Sequence, residues 1–263
     1  MQDRENWAEA MQIGILSESL SIPAFHRAEK NSPRMTGKET ARERQRFVYR
    51  DVAEQWMPQE IERQSEAAID REMRTAFSRR DERTVLRRVI QATGDFDYIR
   101  ELFFTSGAME AAVGALQLGA PIVADSPMIP AGIHQASCER LGIKIHFFFD
   151  DDDVADEARR QKSTRTAAGV NKLGRMKQNP IVVVGERPTA LYRLHELIYS
   201  GTLTPRLIVA VPAGVIDVVE SKERILTLPN TEMIVMRGRK GGCHAAAAIV
   251  NALLDQAHPS GLM

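Results

Sequence analysis

Five short apolar runs punctuate the second half of the chain: PIVA at 121–124, IKIHFFF at 143–149, IVVVG at 181–185, RLIVAV at 206–211 and EMIVMR at 232–237. Each is rich in Val, Ile or Phe, and polar segments of helical pattern separate them. A continuous apolar run reads as a strand covered on both faces, and strands linked by helices form a parallel sheet. Right-handed crossovers then predict a three-layer α/β/α sandwich with a mainly parallel sheet of about five strands, preceded by N-terminal helices.

The first of these helices starts at Pro58. PQEIERQSEAAIDREM places Ile61, Ser65, Ala68, Ile69 and Glu72 on one side at spacings of three and four. Asp81 reads as the cap of a second helix, DERTVLRRVIQATG, with Val85, Val89 and Ile90 inward and Gly94 ending it. A third, MEAAVGALQLG, closes at Gly119. Residues 1–45 differ in character: charges mix with Ser, Pro and Gly, and apolar clusters are few. They are expected to form an extension, flexible or packed on a partner, ahead of one domain over 46–263.

Composition narrows the classes of function. Lys and Arg number 35, as do Asp and Glu, so the 263-residue chain has no net charge that would draw it to nucleic acid or an anionic membrane. An apolar fraction of 43% suffices for a sizeable core. Two distant cysteines, Cys138 and Cys243, exclude a disulfide framework and a cysteine-rich zinc site, and make reduced cytoplasm the expected compartment. No apolar run is long enough to span a membrane, and the N-terminus lacks the pattern of a signal peptide.

Ligands of an open parallel sheet bind outside the carboxyl ends of its strands, so the segments after the runs carry the functional reading. DSPMIPAGI follows PIVA, ERPTALYRLHEL follows IVVVG, PAGVIDVVESK follows RLIVAV, and GRKGGCHAAAAIVNALL follows EMIVMR. In the last, Gly238, Gly241 and Gly242 let the backbone approach a ligand closely. Arg237, Arg239 and Lys240 add positive charge, and the helix that follows aims its first amides the same way, which makes an anion cradle. A strand-to-helix turn needing glycine for geometry alone fits the same letters. The order of residues matches neither a Walker A loop nor a dinucleotide fingerprint, and no GxSxG elbow or HExxH pair occurs.

Elsewhere, Thr164, Arg165 and Thr166 stand at a helix start, where two hydroxyls and a guanidinium can hold a carboxylate; a plain N-cap beside a surface arginine is the alternative. The acidic run Asp150–Asp153 reads as a solvated loop rather than a divalent-cation site. His146 reads as a core or edge histidine and His195 as a polar-face residue. His244, beside the glycine turn, is the histidine best placed to touch a ligand.

Taken in this order, the motifs resemble the precorrin-8X methylmutase family, its cobalt-precorrin-8 branch included, over about residues 47–255. The resemblance runs through PQEIERQSEAAIDREM, VIQATGDFDY, LGAPIVADSPMIPAGI and STRTAAG to its most specific parts, GERPTALYRLHELI, VPAGVIDVVESK and MRGRKGGCHAAAAIVNALL. It implies an isomerase of corrin biosynthesis that moves a methyl group between adjacent ring carbons of a large tetrapyrrole acid, giving hydrogenobyrinate or its cobalt-containing equivalent. It also implies a homodimer with the ligand near the subunit interface, and no dissociable cofactor, any metal being part of the substrate. Substrate contacts are implied for Ser65, Thr164, Arg165, Thr166, Pro188, Thr189, Arg237, Gly238, Arg239, Gly241 and Gly242. Such a ligand is a wide apolar disc with a carboxylate rim, which calls for apolar walls and cationic or amide donors.

One position departs from the family pattern. The helix matching VLRRVIQATG carries the family's acid/base histidine, and this chain has Gln91 there. An amide does not exchange a proton near neutral pH, although it still donates hydrogen bonds. Three readings follow: another acid, with His244 and Tyr98 as candidates; a slow or specialised methylmutase on a related macrocycle; or a paralogue that binds a corrinoid or related tetrapyrrole without methyl transfer.

Overall fold

The structure is a computed structural model and describes residues 57–73 and 79–258. The extension expected at residues 1–45 lies outside the described residues. Helix α1 spans Pro58–Glu72 and α2 spans Arg80–Thr93. A short helix α3, Tyr98–Glu101, leads into strand β1, Leu102–Phe104. Then follow α4 (Ala108–Gln117), β2 (Ile122–Ala124), α5 (Met128–Gly132), α6 (Gln135–Arg140) and β3 (Ile145–His146). The chain continues through α7 (Asp152–Arg160), α8 (Arg165–Leu173), β4 (Ile181–Val184), α9 (Pro188–Tyr199) and β5 (Leu207–Ala210). It ends with α10 (Val218–Ile225), β6 (Met233–Met236) and α11 (Cys243–Ala257).

The strands form one sheet in the order β1-β6-β5-β4-β2-β3, parallel except for β1, which runs against β6. β4, β5 and β6 are buried at every position. That is the expected consequence of continuous Val/Ile runs covered on both faces. On one face α11 packs with α2, α4 and α5, burying Ala245–Ala248, Ile249 and Leu253 against Ile181, Val183, Val209 and Ile234. The alanine run lets α11 lie close to its neighbours, since side chains of one carbon leave little between the backbones. On the other face α8, α9 and α10 cover Val182, Val184, Ile208 and Val235 with Val170, Leu191, Leu194 and Ile225.

Four expectations are corrected. The sheet has a sixth strand: β1 is three residues of LFF on the edge with Phe103 partly exposed, too short for any periodicity. The run 143–149 pairs with β2 only at Ile145 and His146; Phe147 and Phe148 turn instead to the helical layer, and His146, on this edge strand, stacks on Phe148. Asp81 does not cap α2. Arg79 occupies the N-cap without a side-chain capping bond, while the Asp81 carboxylate accepts from the Glu82 amide within the first turn, where the helix dipole favours an acid. The acidic run is not wholly a loop either, since Asp152 and Asp153 begin α7, and Lys172 pairs with Asp151 and Asp153. Gly94 ends α2 as expected, with φ 67° and its amide bonded to the Ile90 carbonyl.

Candidate active site at the carboxyl edge of the sheet

The turns after β2, β4, β5 and β6 meet at the carboxyl edge of the sheet. β1 runs the opposite way, so the loop before it, 94–97, arrives at the same edge: Leu102 pairs with Met236, and the Arg237 amide donates to the Glu101 carbonyl at 2.9 Å. Five loops therefore surround one region, and each is fixed by polar contacts.

Asp125, directly after β2, is buried. Its carboxylate accepts from the amides of Gly185, Glu186 and Arg187 at 2.8, 3.0 and 2.6 Å, which fixes the turn ahead of α9. Burial pushes this carboxyl up from the ordinary range, while the three amides pull it down. Arg187 returns a bond from Nε to the Asp125 carbonyl and lies over the Phe149 ring. Pro188 and Thr189 follow as the first residues of α9, Pro188 half-buried and Thr189 exposed. An acid at the end of an apolar strand was the sequence signal for Asp125, and the pattern reading passed over it.

The glycine turn after β6 is stitched to the β5 turn by two backbone bonds, Gly242 N–H to Val211 O at 2.7 Å and Gly214 N–H to Arg239 O at 3.1 Å. Gly241 has φ +144°, and a Cβ there would stand 2.1 Å from the Val211 carbonyl oxygen. The geometric reading of the glycines therefore applies at Gly241, and the turn lies at the carboxyl edge of the sheet. From α10, Lys222 reaches under the turn, fully buried, and donates from Nζ to the carbonyls of Gly238 and Lys240 at 3.0 and 2.8 Å. Burying an ammonium costs several kcal/mol. Two charge-assisted bonds of about 1.5–3 kcal/mol each only roughly offset that cost.

The three cations of the turn have different fates. Arg237 is bound bidentately to Glu223 on α10, both contacts at 2.9 Å. Lys240 pairs with Asp95 at 2.8 Å and with Asp97, which ties the glycine turn to the loop that ends α2 and holds its ammonium up at about 12. Arg239 is exposed and forms no ion pair among the described residues.

Beside this loop lies an open cleft of about 470 Å³, lined by Glu62, Ser65, Ala68, Ile69, Ile90, Gln91, Gly94 and Phe96. α1 buries only Ile69 of the stripe expected to face inward; Ile61, Ser65 and Ala68 stay exposed. The uncovered apolar face forms a wall of the cleft. Ser65 and Gln91, read separately from the sequence, thus share one cavity. Ser65 donates to the Ile61 carbonyl at 2.7 Å, and the Gln91 amide bonds to no described residue. Glu62 is the ionisable side chain on this lining. The sequence signal for it was its place one turn before Ser65, on the same helix face.

Other candidates stand apart. The Thr164 hydroxyl, exposed, accepts from the Ala167 amide at 3.1 Å and caps α8, Arg165 is exposed beside it, and Thr166 is buried. No described contact ties these three to the Gln91 cleft. His244 is exposed on the first turn of α11, beside the glycine turn. Tyr98 is buried, and desolvation together with Asp95 pushes its phenol up to about 12, which makes it a weaker acid than an ordinary tyrosine. His195 lies on α9, stacked on Tyr199 with Nε2 3.1 Å from the Thr227 hydroxyl.

An apolar cleft and a glycine turn on the carboxyl edge of a mainly parallel sheet, with Arg239 forming no ion pair among the described residues, define the class: an α/β sandwich with its candidate site at that edge. Residues 60–256 match the family model described as precorrin-8X methylmutase, and the chain belongs to that family. It is 37% identical over 201 residues to a cobalt-precorrin-8 methylmutase of Leptospira interrogans, covering 74% of this chain and 91% of the relative. It is 34% identical over 199 residues to a precorrin-8X methylmutase of Pseudomonas aeruginosa, covering 75% and 95%. The crystal structure of a precorrin-8X methylmutase from Thermus thermophilus superimposes with a TM-score of 0.68 at 32% identity, covering 75% of this chain and 96% of that one.

Proposed function

We propose that this protein is an isomerase of cobalamin biosynthesis that moves a methyl group between adjacent ring carbons of precorrin-8X or cobalt-precorrin-8, giving hydrogenobyrinate or cobyrinate. The observation that carries the reading is the meeting of Ser65 and Gln91 in one apolar cleft, tied through Lys240 to the glycine turn that bears Arg239. The rearrangement is internal: one carbon–carbon bond breaks and its neighbour forms, with no net gain or loss of atoms. The protein has to orient the macrocycle and carry a proton to or from the conjugated system. The walls of Ala68, Ile69, Ile90 and Phe96 suit the disc, and Arg239 suits a rim carboxylate. Gln91 can donate a hydrogen bond to a ring nitrogen or carboxylate, and Glu62 is the group of the lining that can carry a proton. The family resemblance also implies substrate contacts for Ser65, Arg165, Pro188 and Thr189; Arg237 would reach the ligand with the N–H donors its pair with Glu223 leaves free, and Thr164 and Thr166 would act by shaping the start of α8. No dissociable cofactor enters this scheme, and any cobalt arrives with the substrate.

Gln91 favours a second reading, a corrinoid-binding paralogue without methyl transfer. A single-turnover assay with the precorrin-8 substrate, followed by absorbance of the corrin product, separates the two: product formation supports the isomerase, and binding without spectral conversion supports the paralogue. In the same site, Arg239→Ala is expected to weaken hydrogenobyrinate binding roughly ten- to hundredfold, the scale of one lost charge-assisted contact. Superimposable titrations of the two proteins would remove Arg239 from the site.

We also propose a cytoplasmic homodimer. No helix among the described residues is long and apolar enough to cross a membrane. Ile61, Phe96, Val215 and Ile216 are exposed apolar residues, the last two on the β5 turn at the ligand edge, and a ligand this wide is more easily enclosed between two subunits. Light scattering should give twice the 29.4 kDa chain mass, and the same for a protein lacking residues 1–45; a truncated monomer would place the interface in the extension.

A further inference from the structure

Lys222 touches neither the cleft nor the exposed face of the glycine turn, yet it is the side chain on which that turn rests. It is fully buried, and no carboxylate pairs with it among the described residues. Its two acceptors are both backbone carbonyls of the turn, Gly238 and Lys240, at 3.0 and 2.8 Å. Drawing these two carbonyls inward turns their negative ends away from the ligand edge. It also leaves an ammonium directly behind the segment that must face a carboxylate rim. From Lys240 the path continues through its own side chain to Asp95 and Asp97, on the loop that closes the Gln91 cleft.

We infer that Lys222 is a positioning residue for the tetrapyrrole-acid site: its buried ammonium holds the 238–242 turn in the form that accepts a carboxylate and, through Lys240, holds the loop bordering the Gln91 cleft. The inference rests on the methylmutase reading for the identity of the ligand. The two carbonyl contacts themselves do not depend on that reading.

Burial alone pushes the Lys222 ammonium down to about 8. The neutral amine keeps two N–H donors, but it loses the charge assistance and the positive charge behind the turn. Of the charged groups on the surrounding elements, Glu223 of α10 pairs with Arg237, and Lys240 with Asp95 and Asp97, Arg100 also contacting Asp97, while Arg239 of the turn and Glu220 of α10 form no ion pair among the described residues. The remaining titratable groups near the turn are Tyr98, held near 12, His244, and the Cys243 thiol, pushed up by burial. Ligand affinity and fold stability therefore move in opposite directions with pH. Between about 8 and the ordinary lysine value of 10.5 the unfolded chain holds a proton that the folded protein lacks, so this group makes stability rise with pH. Over the same range the site loses its charge, and affinity for a polycarboxylate falls.

The experiment titrates the full-length protein with hydrogenobyrinate from pH 7 to 9.5, using wild type, Lys222→Met and a Cys243→Ser control. Thermal melting and hydrogen exchange are followed in parallel. Wild type and Cys243→Ser should lose about tenfold in affinity across the range without a matching fall in Tm. Lys222→Met should bind at least about tenfold more weakly at pH 7 and show a flat profile. In the free Lys222→Met protein, amides of residues 239–242 should exchange faster while those of α11 beyond Ile249 do not. A wild-type profile flat in pH overturns the inference, and this arm needs no variant to fold. A folded Lys222→Met protein with wild-type affinity overturns it as well. Failure of wild type to bind the corrinoid at any pH would instead defeat the proposed function. The exchange arm still decides the positioning role, since unchanged exchange at 239–242 would dismiss it.

Discussion

Gln91→His is expected to raise methyl migration by about 10²-fold or more, the usual scale of acid/base assistance. Under the proposed function, the apolar walls of the cavity, Ser65 and the link through Lys240 to the glycine turn orient the macrocycle. What Gln91 does not supply is a group that titrates near pH 7, which histidine does. The rate of the variant should acquire a pH dependence around the histidine pKa, while hydrogenobyrinate affinity changes little because both side chains are polar and exposed to the cleft. Single-turnover absorbance of wild type, Gln91→His and Glu62→Gln across pH 5.5–8.5 is the check. A wild type already as fast as the histidine variant would place proton transfer elsewhere. Glu62→Gln would then be expected to lose about 10²–10⁴ in rate, with His244 next in line should it not. Binding without turnover in both wild type and Gln91→His would mean that the site lacks more than one catalytic element, and the corrinoid-binding reading would stand.

The second large effect is expected at Gly241. Gly241→Ala puts a methyl group 2.1 Å from the Val211 carbonyl oxygen, on backbone that the Gly242 amide bond holds in place, and at φ +144°, where an L side chain is itself strained. The contact is with backbone rather than with the end of a flexible side chain, so the turn has to move as a unit. Strain of about 1–3 kcal/mol from the dihedral, added to the displacement, gives an expected loss of about 3–5 kcal/mol. For a domain of this size that is a fall in Tm of roughly 6–20 °C, with loss of hydrogenobyrinate binding. Gly94→Ala is the contrast: it also has positive φ, but a Cβ there meets nothing within 4 Å, so its cost is confined to backbone strain. Equal melting temperatures for Gly241→Ala and wild type would show that the turn has room the geometry denies.

The sheet was legible because its signal is one-dimensional. Runs such as IVVV at 181–184 and LIVA at 207–210 are buried at every position, and a strand covered on both faces has to be apolar throughout whatever its neighbours are. β1 was not legible. Three residues on an edge, antiparallel to β6, owe their strand conformation to the partner and not to any pattern of their own. The run at 143–149 was over-read for the same reason, since Phe147 and Phe148 are apolar to pack against helices and not to pair. Asp81 lies two residues past the cap position because an acid favours the first turn of a helix nearly as much as its cap.

Within the site, chemistry was legible by residue type, and commitment was not. Arginine, glycine, serine and threonine after strand ends announce an anion or carboxylate site, and Gln91 was visible as a departure from the family pattern. Only the tertiary structure shows that Arg237 pairs with Glu223, that Thr164 caps a helix, that Thr166 and Tyr98 are buried, and that Arg239 faces out with no ion pair among the described residues. It alone brings Glu62, Ser65 and Gln91 to one cavity from two helices, and puts Lys222 beneath a turn 16 residues further along the chain. The sequence by itself determined the α/β class, the parallel strands and the family, because apolar continuity and turn composition are properties of single segments. The tertiary structure decided which polar groups are already partnered, because a side chain's partners come from segments distant in sequence, and a group that is paired or buried has fewer bonds to offer a ligand.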